Sequence, residues 1–178
     1  MPQDAFHIRR LSSELNTFLK GGRVNRISQV NKDELTFIIY TGKSTVKLIL
    51  SANASNARVC LSLTEKEPAP VAPNFCMLLR KHIQNGRIVD ISQPSLERIL
   101  EFTIEHLDEM GDLCQKKLIV ELMGKHSNII FCNQEGKIID SIKRISSATR
   151  SVREVLPGRE YFIPATQEAK LNPLTTDK

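Results

Sequence analysis

Arg98 stands where a guanidinium is awkward. In the run 97–107, read as a strand, it shares a face with Leu100, Phe102 and Ile104, while Glu97 shares the opposite face with Glu101, Thr103 and Glu105. A charge at the entrance to an apolar face either projects past the sheet edge or pairs with an acid. Glu97 and Arg98 meet one ligand together only where the turn after Pro94 distorts the start of the strand; otherwise Arg98 is an edge charge capping the sheet. A second grouping lies in the run 116–123. Leu118, Val120 and Leu122 point inward there, Glu121 and Met123 point to the other face, and Lys125 joins them if the strand continues through Gly124. An acid, a soft thioether and a cation on one face form a contact surface, or simply an exposed strand face carrying one Met. The chemistry in both places is recognition of a charged or polar partner, not bond-making.

Groups that make and break bonds are not arranged for it. His7, His82, His106 and His126 show no H-E-x-x-H pattern and no carboxylate at metal-ligand spacing. Cys60, Cys76, Cys114 and Cys132 stand far apart with no C-x-x-C pair, which reads as reduced, mostly buried thiols. There is no G-x-S-x-G, phosphate-binding loop or dinucleotide fingerprint, and His126 beside Ser127 is adjacency, not a triad. No catalytic residue, metal or cofactor is expected.

The totals agree. A chain of 178 residues with 40% hydrophobic content suits one domain with a small appendage, and 25 Lys+Arg against 20 Asp+Glu give +5, which permits a polyanion partner without demanding one. With no Trp and few aromatics, a stacking platform for single-stranded bases is not expected. No apolar run reaches the roughly 18 residues of a membrane span, and the start has no apolar signal core. A cytoplasmic protein without a membrane partner follows.

The elements that must position these residues come next. Ala5, Ile8, Leu11, Leu15, Phe18 and Leu19 predict a helix over 4–20, stopped by Gly21-Gly22, with Asp4 as its N-cap. Alternating runs at 23–30, 35–39, 46–50 and 59–63 read as an antiparallel meander. Three Pro in 65–73 make an extended connector. Phe75, Leu78, Leu79 and Ile83 predict a helix over 74–84, N-capped by Asn74 and stopped by a left-handed Gly86. Arg80 and Lys81 lie on its outer side, near a C-terminus where cations are favoured in any case. Strands follow at 87–91, 97–107 and 116–123, then a hairpin of 128–132 and 137–145 about Asn133–Gly136. Arg150 and Arg153 follow close after Lys143 and Arg144, which end it. The fold class is α+β: a predominantly antiparallel two-layer β domain, sandwich- or barrel-like, with an N-terminal and a central short helix. It occupies residues 1–164, and the polar tail 165–178 is expected to lead to a missing C-terminal part.

The wording of the chain also carries a resemblance. FCMLLRKHIQNGRIVDISQ, then ER, then IVELMGKHSNIIF, then REVLPGREYFIP resemble, in order and across most of residues 4–164, the NFACT-N region of fibronectin-binding-protein-A-like proteins, the bacterial ribosome-associated quality control (Rqc) family. The resemblance implies a fold like the N-terminal domain of formamidopyrimidine-DNA glycosylases. It implies a non-enzymatic factor that binds obstructed large ribosomal subunits and recruits tRNA, alanyl-tRNA in bacteria, for mRNA-independent tailing of stalled chains. Its site residues map to Asp4, where Ala5 replaces the usual following Gly, to Glu97-Arg98, where Glu replaces Asp, and to Glu121, Met123 and Lys125, all as tRNA contacts. Arg98 would use its fork on a phosphate or base edge and Glu97 would accept from a base amino group. Arg80, Lys81 and Arg144 would add phosphate attraction. Two other readings stand beside this. One is a fibronectin- or fibrinogen-binding adhesin, after the family's older name. The other is a glycosylase-like enzyme using the Pro2 amine, although Gln3 stands where those enzymes carry a Glu.

Overall fold

Ile8, Leu15 and Leu19 are buried along one side of α1 (Ala5–Leu19), as their helical spacing requires. Phe18, assigned to the same stripe, is instead 48% exposed. The computed structural model describes residues 5–62, 73–94, 98–143 and 155–161. Gly21 ends α1 at a φ of 86°, where an L side chain is strained. Gly22 is kept small from outside: a Cβ there would lie 2.8 Å from both Ile39 Cγ2 and the Leu19 carbonyl oxygen.

The meander forms as β1 (Arg23–Asn31), β2 (Glu34–Tyr40), β3 (Thr45–Ser51) and β4 (Arg58–Ser62), with Leu35, Phe37 and Ile39 of β2 facing the core. The Pro-rich connector falls outside the described residues. α2 (Asn74–Ile83) buries Phe75, Cys76, Leu79 and Ile83. Asn74 is not its N-cap. It is already helical, and Pro73 holds the cap position at φ −65° and ψ 165°, with no side-chain cap bond. Proline's fixed φ leads straight into the first turn. At the other end the left-handed residue is Asn85, at φ 74°, not Gly86. Glycine is needed at 86 for closeness: a Cβ would lie 2.9 Å from the carbonyl oxygens of Glu105 and Ile83.

Five strands follow: β5 (Arg87–Ser92), β6 (Ile99–Leu107), β7 (Leu113–Glu121), β8 (Asn128–Asn133) and β9 (Ile138–Ser141). The β8–β9 turn is built as its residues suggest. Gly136 has a φ of 93°, and Asn133 Oδ1 accepts from the amides of Glu135 and Lys137, each at 2.9 Å.

The two-layer expectation becomes one open sheet. Among the described residues nine strands run in the order β4-β3-β2-β1-β5-β6-β7-β8-β9, every pairing antiparallel. The sheet is nearly divided at its middle, where β1 and β5 share the single register pair Arg23 and Arg87. Both halves feed one core containing Phe37, Leu48, Phe102, Leu118 and Phe131. α1 packs on β5 and β6, and α2 on β1 and β6. Beyond the seam α2 covers the exposed edge of β1: Arg80 Nε donates to the Ile27 carbonyl at 2.8 Å, and Cys76 Sγ donates to the same oxygen at 3.7 Å. The far ends approach each other as well, since Lys143 Nζ, after β9, donates to the Ala52 carbonyl, after β3, at 2.7 Å.

Candidate nucleic-acid interface

The strand entrance and the end of β7 are one corner of the sheet. Ile99 pairs with Glu121 as the last rung of β6 and β7, and one step further the Leu122 amide donates to the Arg98 carbonyl at 2.9 Å. Arg98 is half-buried, just outside β6, and its neighbour across the ladder is the residue leading to Met123. The two groupings that the sequence separates by more than twenty positions are therefore held together by backbone bonds.

The strand does not continue to Lys125. β7 ends at Glu121, and residues Gly124–His126 form a 3-10 turn. Gly124 sits at a φ of 59°, and the Ser127 hydroxyl accepts the Met123 amide at 2.8 Å. The strand-based alignment of Glu121, Met123 and Lys125 on one face is thus replaced by a turn that carries Lys125. Its side chain lies outside the described residues.

Nor is the Glu121 face open. Glu121 is 0% exposed, and its Oε2 accepts from the Tyr161 hydroxyl at 2.7 Å. Around it is a second apolar cluster of Ile99, Ile119, Ile130, Cys132, Ile138 and Val155, with Met123 and Tyr161 packed against it. The covering comes from residues 155–161, whose Lys137–Glu160 bridge joins them to the start of β9. Burial pushes the Cys132 thiol up to about 12, with the Glu101 and Glu121 carboxylates adding to the effect. Asp4, Glu97 and Arg144 lie outside the described residues.

Arg80 and Lys81 diverge. Arg80 is exposed, but its Nε is committed to Ile27. Lys81 lines a cleft of about 420 Å³ with His82, His106, Asp108, Glu109 and Lys116. There His106 Nδ1 lies 3.1 Å from the Leu107 carbonyl, and Nε2 lies 3.2 Å from both Cys114 Sγ and Lys116 Nζ. Desolvation holds both imidazoles below their usual pKa. For His82 the Lys116 charge comes next; for His106 the hydrogen bond to the Leu107 carbonyl works against the shift, and the Lys116 charge adds to it. Sequence reading misses this group, although the signal was available. A turn centred on Met110 and Gly111 places His106 opposite Cys114 across the hairpin. Among the described residues no group of His, Cys, Asp or Glu is arranged to hold a metal, and no helix is long and apolar enough to cross a membrane.

Comparison with known proteins gives a consistent picture. A family model described as NFACT N-terminal and middle domains matches residues 4–178. The Rqc2 homolog RqcH of Bacillus subtilis is 43% identical over 165 residues, covering 92% of this chain. The chain spans only 29% of that relative's length. Among solved structures, the N-terminal domain of fibronectin-binding protein PavA from Streptococcus pneumoniae superposes with a TM-score of 0.87 at 33% identity, covering 98% of this chain and 69% of that one. The N-terminal part of the fibronectin/fibrinogen-binding protein from Streptococcus suis superposes with a TM-score of 0.86 at 36% identity, covering 98% and 70%.

Proposed function

The chain belongs to the NFACT N-terminal and middle domain family, and from that premise we propose that it is the tRNA- and ribosome-contacting module of a ribosome quality-control factor. The factor acts in the cytoplasm on obstructed large ribosomal subunits and recruits alanyl-tRNA for mRNA-independent tailing of the stalled chain. The domain itself is a binding module, and the ribosome carries out peptide-bond formation. The observation that supports this reading best is the corner where the Arg98 carbonyl receives the Leu122 amide, because it brings Arg98 beside the segment that carries Met123 and Lys125. Arg98 and Glu97 read a phosphate or base edge of tRNA, Asp4 contributes to the same contact, and Met123 and Lys125 meet it from the turn. Glu121 anchors the corner from beneath, held by Tyr161. Arg80, Lys81 and Arg144 add phosphate attraction. The test is Glu97→Ala with Arg98→Ala in the whole protein. The expected result is loss of tailing and of tRNA recruitment with unfolding behaviour unchanged. Normal tailing by the folded double variant removes the site assignment.

A second reading is binding of fibronectin or fibrinogen, favoured by the names of the two similar streptococcal structures. Surface labelling of intact cells, scored against a cytosolic control, separates it: labelling at control level excludes display as an adhesin. We also carry the fold reading further, to likeness with the N-terminal domain of formamidopyrimidine-DNA glycosylases, without their activity. Borohydride trapping on an abasic oligonucleotide is expected to leave no adduct on Pro2.

A further inference from the structure

The seam between the two halves of the sheet is joined by a pair of like charges. Arg23 of β1 stands directly opposite Arg87 of β5, and both are exposed. Directly opposed side chains share a face at a Cβ separation of about 5 Å, and like charges in that position destabilise a sheet. A third guanidinium is brought to them by a bulge. Arg23 pairs with Tyr40 and Val24 with Ile39, but Arg26 pairs with Ile38, which leaves Asn25 as the extra residue. Tyr40 and Ile38 are two apart and share a face of β2, so Arg23 and Arg26 share it as well, although they are three apart. The same bulge lets Val24 and Ile27 both reach 0% exposure in the core. A regular strand would turn one member of each pair to the wrong side. Arg80 of α2 arrives beside them, its Nε bound to the carbonyl of Ile27, the residue after Arg26. Tyr40, 45% exposed, flanks Arg23 on the strand beyond.

Among the described residues one acid, Glu105, stands next to this charge, and it does not close an ion pair with it. Glu105 pairs in register with Arg87, but among the described residues no carboxylate forms an ion pair with Arg23, Arg26, Arg80 or Arg87. A bulge that re-aims an arginine and a like-charged pair at the sheet's weakest junction are the arrangement of a surface kept for a polyanion. Planar forks match phosphate oxygens, and an exposed Tyr beside them gives an unstacked base a face to lie on.

We propose that this seam is a second RNA-backbone site, taking the phosphates of a folded RNA at a point where one base is unstacked onto Tyr40. It rests on the reading of the chain as an RNA-contacting factor, but it is a different surface from the Arg98 corner. Arg87 lies across from Glu105, seven residues from Arg98, so the two sites stand roughly 24 Å apart along β6 at about 3.4 Å per residue. A single RNA bound at both would run the length of that strand.

The test uses the whole protein with Arg23→Gln and Arg26→Gln together, set beside Arg98→Ala, and measures binding of total tRNA and of purified large ribosomal subunits across a salt series. The double variant is expected to bind one or both RNAs at least tenfold more weakly, and its log–log salt slope is expected to fall by about 1 per arginine removed. Its Tm should be equal to or higher than that of the parent, because a like-charge contact has been relieved. Tyr40→Ala should weaken binding with the slope unchanged. Arg87→Gln alone serves if the double variant does not fold. Unaltered affinity and slope in a folded variant, with Arg98→Ala still weakening binding, overturns the seam and leaves the RNA reading intact. If the parent binds neither RNA, both fall. Loss of an acidic protein partner with RNA binding unchanged assigns the seam to protein and overturns the proposal.

Discussion

Removing one hydroxyl tests how the candidate corner is held. Tyr161→Phe deletes the donor to Glu121 Oε2 at 2.7 Å while keeping the ring packed against the second apolar cluster. Glu121 is 0% exposed, so water cannot replace the lost donor without opening the 155–161 cover. Losing a hydrogen bond to a buried carboxyl costs about 1–3 kcal/mol. For a chain of this size, each kcal/mol shifts Tm by about 2–4 °C, so a fall of roughly 2–12 °C is expected. Glu121→Leu should cost a similar amount by leaving the Tyr161 hydroxyl without this acceptor. The double variant should cost clearly less than the sum, because both polar partners are gone together. The assay is thermal and urea unfolding of the four proteins, with tRNA affinity measured on each. Strict additivity, or an unchanged Tm in Tyr161→Phe, would refute the claim that this bond fixes the corner. The tRNA readout adds a functional arm: Tyr161→Phe should weaken binding although Tyr161 itself touches no ligand in the proposal.

Three further outcomes follow from the geometry. Gly86→Ala forces a Cβ to within 2.9 Å of two carbonyl oxygens, and overpacking of this kind costs about 1–3 kcal/mol; an unchanged urea midpoint would show that the seam relaxes freely. His82 and His106 are held below 6.5 by desolvation, with Lys116 opposing their charge. The unfolded chain therefore takes up these protons first, so stability is steady above about pH 6.5 and falls as pH drops below it; His106→Gln should flatten that slope between pH 8 and 5.5, and an unaltered slope would exclude the group as its source. Cys132, raised to about 12, and Cys76, raised by burial against the lowering effect of Arg80, should resist a thiol reagent at pH 8 in the native protein while the half-buried Cys60 and Cys114 react; rapid labelling of Cys132 would mean that the 155–161 cover opens readily.

Most of the element order was legible because it rests on local pattern. The alternation of Leu35, Phe37 and Ile39, the stripe of Phe75, Leu79 and Ile83, and the turn at Asn133–Gly136 each carry their own signal. What escaped depends on chain neighbours far away in sequence. Gly86 looks like a helix stop, yet its reason is the Glu105 carbonyl nearly twenty residues on. Asn74 looks like a cap, but Pro73 already holds that place. Strand parity predicts Glu121 on an outer face correctly, and it cannot foresee that residues 155–161 cover that face. The same parity carried Met123 and Lys125 past a glycine at a φ of 59°, where the strand had ended. The β1 bulge is invisible to period-two counting, so Arg23 and Arg26 looked like ordinary scattered charges. Of the candidate site, the meeting of Arg98 with the 121–125 segment follows from register, which only the sheet order supplies.

The most direct measurement is sequencing of the RNA crosslinked in living cells to the whole protein. The account predicts large-subunit ribosomal RNA together with one enriched tRNA family, with the tRNA crosslinks lost in the Glu97→Ala, Arg98→Ala variant while ribosomal RNA remains. Recovery of no RNA above an uncrosslinked control, or of tRNA unchanged in that variant, would contradict it.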